Sequence, residues 1–292
     1  MLKFGSSNLS SLGIRRKMKM NRNKALLMAC ALGLGLSAES MAGVITVNGD
    51  LSDWGLNWSD SDKGNDWTPN AGIFYAVEDY TGGPNRGGRV DPGYGGQAYD
   101  AEALYVTWDA NNLYIALVTG HNPMTLDNGY DFGPGDFALA FWNGAGAPAY
   151  IYGIETTGNF GSKGDVYAVS EWSKSPYWGG NHITSIKSGV RIGAASLVVS
   201  TNPLTHIGTS TYATDQHWVY EVSVDKSIFG DAFTQYTNLD ISWTMNCAND
   251  IITVQDDIPT IDEPPGWALL GLSLPAVFWR RRFAKHGPQF HA

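Results

Sequence analysis

Charge, cysteine and helical periodicity are all scarce in this sequence. Asp, Glu, Lys and Arg make up 16% of 292 residues, well under the roughly 25% of ordinary soluble domains, so long charged helices and coiled coils are disfavoured. Two cysteines, Cys30 and Cys247, exclude a disulfide framework. The six histidines are scattered: no His-Glu-x-x-His and no histidine beside a cysteine pair occurs, and there is no Gly-x-Ser-x-Gly elbow or phosphate loop. His121, His182, His206 and His217 therefore read as loop or strand-face polar residues rather than catalytic bases. No apolar run reaches the roughly 20 residues a helix needs to cross a bilayer.

What is present is glycine and aromatic surface. The chain has 35 Gly, 11 Trp, 14 Tyr and 11 Phe, and 43% of it is hydrophobic, enough for a substantial core. Its net charge of −9 is segregated. Residues 1–42 and 264–292 are basic, whereas the segment between them holds eight basic against 27 acidic residues, a balance of −19. Such a surface repels phosphate backbones and attracts cations, so nucleic acid is excluded as a partner.

The basic ends have distinct patterns. Lys19, Arg22 and Lys24 precede an apolar run over 25–36 and then Ser40-Met41-Ala42. This is a secretory signal peptide with cleavage between Ala42 and Gly43, and Met18 or Met20 is a better start than Met1. With Cys30 removed, Cys247 is the one thiol of the mature chain and reads as a small buried hydrophobe. At the other end Asp262-Glu263-Pro264-Pro265 precedes 14 residues, 266–279, and then Arg280, Arg281 and Arg282. This predicts a short hydrophobic C-terminal helix whose arginines stay in the cytoplasm, anchoring the chain transiently in the inner membrane.

The tail resembles the PEP-CTERM sorting signal, with Asp262 in place of the first proline and ten residues beyond the arginines. The resemblance implies a Gram-negative host and an exosortase-type transpeptidase as partner. It further implies cleavage near Glu263 and delivery to periplasm, cell surface or extracellular matrix.

Between leader and tail, residues 43–258 read as one domain. Short β-branched or aromatic segments recur at 44–47, 73–77, 104–108, 113–119, 137–142, 150–154, 166–169, 190–192, 196–200, 218–224, 239–245 and 251–254. Gly, Pro, Asn or Asp bounds nearly every one, which predicts an all-β fold, an antiparallel β-sandwich of jelly-roll-like form. The four residues 109–112 predict the clearest hairpin, and 225–233 at most a short turn of helix. The stretches Asn48-Gly49-Asp50-Leu51-Ser52-Asp53-Trp54, Tyr99-Asp100-Ala101-Glu102-Ala103-Leu104-Tyr105, Gly135-Asp136-Phe137-Ala138-Leu139 and Tyr220-Glu221-Val222-Ser223-Val224-Asp225 resemble the carbohydrate-binding family-nine-like, DOMON-type modules. That resemblance implies a sandwich that holds sugar on aromatic side chains and carries structural calcium.

The residues suggest where. Calcium takes six to eight oxygens; Asp100 and Glu102, two apart on an extended segment, are expected on one face as ligands, with Glu78 and Asp79 next and Asp50, Asp53, Asp109 and Asp136 behind them. Sugar rings stack on exposed aromatics; Trp58, Trp67, Trp172 and Trp178 lie in polar or Gly-rich surroundings, whereas Trp108, Trp142, Trp218 and Trp243 sit in strand patterns as core. The expectation is an exported, non-catalytic matrix protein that binds extracellular polysaccharide with calcium support. A structural adhesion protein without a defined sugar site and a glycan hydrolase are the alternatives.

Overall fold

The structure is a computed structural model, and it describes residues 44–56, 67–78, 88–125, 132–144, 146–148, 150–178, 180–205 and 216–257. The leader, the cleavage pair Ala42 and Gly43, Trp58, Asp79, and the tail with Glu263, Pro264, Arg280, Arg281 and Arg282 lie outside the described residues.

Among the described residues, twelve strands form two antiparallel sheets. The first holds β1 (Phe74–Val77), β2 (Ala103–Trp108), β3 (Asn112–Thr119), β10 (Gln216–Asp225) and β8 (Ser196–Val199) in that order, with β9 (Leu204–Thr205) also on β10. The second runs β12 (Ile251–Asp257), β11 (Asn238–Thr244), β4 (Phe137–Trp142), β5 (Tyr150–Ile154), β6 (Asp165–Ser175), β7 (His182–Ala194). β4 to β7 form an uninterrupted meander, where a jelly roll would send most successive strands to opposite sheets.

Alternation explains the packing. Leu104, Val106, Ile115 and Leu117 from the first sheet meet Phe137, Leu139, Phe141 and Ile241 from the second in the central core. The opposite face of the first sheet, with Ala103, Tyr105, Ala116, Val118 and Val219, is covered by Ile45, Leu51, Trp54, Leu56 and Trp67. Residues 44–47 are therefore not a strand: they belong to a strap of turns laid over the sheet. Glu221, fully buried on that face, holds the strap by accepting hydrogen bonds from the Asn48 and Gly49 amides and the Trp54 indole at 2.7, 2.8 and 2.9 Å.

The second sheet is also covered on its outer face. β6 and β7 are longer than expected, and their pairing shifts register four times between Val166 and Lys174, bending the hairpin. Its distal part folds back so that Trp172 and Ile186 pack on Ala138 and Tyr167. Gly153 makes this approach possible: a Cβ there would stand 2.8 Å from Ile186 and 2.9 Å from Trp172. A 3-10 turn (Lys226–Phe229) and a short helix (Ala232–Gln235) follow β10, as expected for 225–233.

Candidate functional site

The bent hairpin carries its connecting turn to the loop between β11 and β12. Ser175 Oγ donates to the Cys247 carbonyl at 2.8 Å, Ser185 Oγ to Asn246 Oδ1 at 2.6 Å, and the Trp178 indole to Asn249 Oδ1 at 2.8 Å. Asn249 in turn donates through its side-chain amide to the Tyr94 carbonyl and accepts from the Gly93 amide at 2.7 Å. Three chain segments thus meet at one surface, and two aromatic rings top it. Trp178 is 40% exposed and Tyr94 56% exposed, with ring centroids 5.9 Å apart and planes tilted by 50°. Tyr177 is exposed beside Trp178 along the chain.

Trp178 has φ of 58°, in the left-handed region that costs a non-glycine residue about 1–3 kcal/mol. Its indole lies so close over Gly93 that a Cβ there would come within 2.6 Å of Cε2. The ring is therefore fixed by a hydrogen bond and by a glycine floor, yet much of its surface faces water. This arrangement is a pre-set aromatic platform. It can offer ring faces to an apolar surface of a ligand at little further cost in side-chain ordering.

Beneath the platform the loop is fastened by carboxyls. Asp250 accepts from the Asp91 amide at 3.1 Å and the Ala101 amide at 2.6 Å, and its carboxyl is hydrogen-bonded to that of Asp100. Burial, and then the Asp100 charge, push the Asp250 carboxyl up to about 9, so the Asp100–Asp250 pair retains a proton at neutral pH. Glu78 is also raised, by burial first and then by Asp91 and Asp100. A second buried carboxyl pair lies beneath the hairpin. Asp136 accepts from the Thr156 and Ile186 amides, each at 2.8 Å, and burial followed by Glu155 pushes it up to about 7.

No family model matches the chain, and no curated protein matches its sequence.

The structure separates residues that the sequence reading joined. Asp100 and Glu102 do not share a site: Asp100 meets Asp250, whereas Glu102 Oε2 lies 2.5 Å from His217 Nδ1 and its other oxygen accepts from Gln97. The reason is a lost step of alternation, since Ala101 and Leu104, three apart, both enter the central core while Ala103 faces the strap. Asp109 is a turn residue; burial opposes its ionisation, but the Asn112 and Asn111 amides and the Tyr114 hydroxyl hold its carboxyl below the usual range. Asp50 and Asp53 likewise accept from nearby amides, Ser52 and Thr46. Among the described residues, no three His, Cys, Asp or Glu side chains converge in a way that could hold a metal ion.

Of the tryptophans expected at the surface, only Trp178 is there among the described ones. Trp67 is buried under the strap edge-on to His217, because its carbonyl binds the Tyr105 hydroxyl and draws the residue onto the sheet. Trp172 is buried by the folded-back hairpin. His121 and His217 are also buried, each 1% exposed, rather than on a strand surface. Cys247 is buried as expected. Asp250, Asn249 and Tyr94 were not singled out from the sequence; the one cue is that Asn249-Asp250 opens an apolar run as a turn signal.

Proposed function

We propose that the chain is an exported, non-catalytic carbohydrate-binding protein of the cell surface or exopolysaccharide matrix, with the Tyr94–Trp178 platform as its sugar site. The observation that carries this reading is Trp178: an exposed indole held in a strained backbone conformation by Asn249, with Tyr94 alongside. Strain without burial in return is characteristic of surfaces shaped for a ligand. Tilted rings suit successive sugar units of a chain that turns, and Asn249 is the type of polar neighbour that serves hydroxyl groups.

The non-catalytic part is supported by where the close carboxyls among the described residues lie. Asp100 with Asp250 and Asp136 with Glu155 are buried and hydrogen-bonded to each other or to backbone amides, whereas glycoside hydrolysis needs two carboxyls facing each other across a cleft. Export and exosortase sorting rest on the terminal sequence patterns, as does the Gram-negative setting with transient inner-membrane anchoring. Calcium support rests on the resemblance to the family-nine-like modules alone; the described residues bring no three His, Cys, Asp or Glu side chains together to hold a metal ion.

A neutral and acidic glycan panel titrated with and without chelator tests the reading. The expected result is binding that falls at least tenfold in Trp178→Ala. Binding to no glycan, or full binding by that variant, would overturn it. A chelator that changes neither affinity nor melting temperature removes calcium from the proposal.

A further inference from the structure

A groove of about 1280 Å³ runs beside the folded-back hairpin, on the outer face of the second sheet and away from the ring faces of Trp178 and Tyr94. It is larger than the roughly 300–1,000 Å³ that holds a drug-sized ligand, so an extended chain fits it better than a single small molecule. Phe160, 39% exposed, stands at one side, held edge-on against Tyr167 with centroids 4.9 Å apart. Asn159, Ser185 and Asn246 add neutral polar groups to the lining.

Two features of the lining bear on what it can hold. Trp172 is only 9% exposed, and its indole N–H, shut off from bulk water, has no acceptor among the described residues. No solvent-sized group reaches that N–H, so Trp172 gives the groove apolar wall and no hydrogen bond. The second is charge. Lys187 is neutralised by Glu171 at 2.7 Å, but Lys174, exposed in the same lining, has no carboxylate partner among the described residues. The groove is thus locally cationic in a segment whose overall balance is −19.

We propose that this groove is a second binding site, and that it takes an acidic glycan, a chain of sugar rings bearing carboxylates. A ring face packs on Phe160, hydroxyls meet Asn159, and a uronate carboxylate pairs with Lys174. A neutral glycan would leave the lysine unused. A polyanion lacking ring faces, such as polyphosphate, would leave the aromatic side unused.

The test is titration of the full chain with alginate oligomers, beside neutral laminarin oligomers and polyphosphate. Trp178→Ala serves as the background in which the platform is removed. Alginate binding is expected to persist in that background, to weaken about three- to fivefold in Lys174→Gln, and to lose this difference in 0.5 M salt. Phe160→Ala removes the exposed ring, and is expected to weaken binding about three- to tenfold with the melting curve still cooperative. Should Phe160→Ala fail to fold, Lys174→Gln at the surface decides alone. Alginate that binds Lys174→Gln as well as the parent, or that does not bind, overturns the groove proposal. Loss of all alginate binding in Trp178→Ala overturns it too, placing the ligand on the platform. Binding of laminarin or polyphosphate with equal affinity overturns the acidic-glycan assignment.

Discussion

Gly93 and Trp178 form a contact in which the smaller residue decides what the larger one can do. A methyl group at position 93 would stand 2.6 Å from the indole and 2.8 Å from the Asn249 carbonyl. Gly93→Ala should therefore lift the ring and break its hydrogen bond while leaving both aromatic side chains in the sequence. Glycan affinity is expected to fall nearly as far as in Trp178→Ala, and the indole N–H resonance of Trp178 should move to a solvent-exposed position. An unshifted resonance with reduced affinity would separate the platform's geometry from its function. The sequence made Trp178 legible through its Tyr-Trp-Gly-Gly setting, but Trp172, six residues earlier in equally polar surroundings, is buried. Local composition cannot tell whether a bent hairpin returns onto its own sheet. Asp100 and Glu102 show the same limit on a shorter scale: period-two logic puts them on one face, and a single break in alternation gives one to Asp250 and the other to His217.

The β6–β7 hairpin is the element on which most of the site depends, and it is fastened at Asp136. That carboxyl takes the Ile186 amide from β7 and the Thr156 amide after β5, with Glu155 against it. Because the folded-state value of Asp136 is raised to about 7, the stability it contributes is fully present below about pH 4 and is lost as pH rises through 7. The melting temperature should decline over that window for this reason. Glu155→Gln, which replaces the opposing charge by an amide, is expected to flatten the decline, as read by thermal denaturation from pH 4 to 8. Gly153→Ala tests the hairpin from the other side. The added methyl meets Ile186 and Trp172, and a loss of about 1–3 kcal/mol in urea unfolding is expected. Most strand centres were readable from β-branched and aromatic runs, among them β4 and β5. The first half of β7 was not, since His182, Thr184, Ser185 and Lys187 interrupt its apolar pattern, and what makes it a strand is pairing with β6 across a bulged register.

At the scale of the whole molecule, the intact mass of the protein recovered from its host tests both terminal patterns in one measurement. The expected product begins at Gly43 and ends near Glu263. A mass that retains residues 267–282 would replace sorting by membrane anchoring. The all-β class was open to view in the sequence, but the closure of the fold was not, because it depends on pairs that no local window contains. Glu221 and the strap are the clearest of these: Asn48 and its acceptor are 173 residues apart. Glu221→Ala would strip the Asn48 and Gly49 amides and the buried Trp54 indole of their acceptor, and the expected loss is about 3–5 kcal/mol in urea unfolding, with early protease cleavage between residues 44 and 56. The same pairing sets an order of events in time. The strap leaves the ribosome first and can be secured only after β10 has followed, so the chain stays open, and dependent on whatever shields it, until nearly four-fifths of its length has been made.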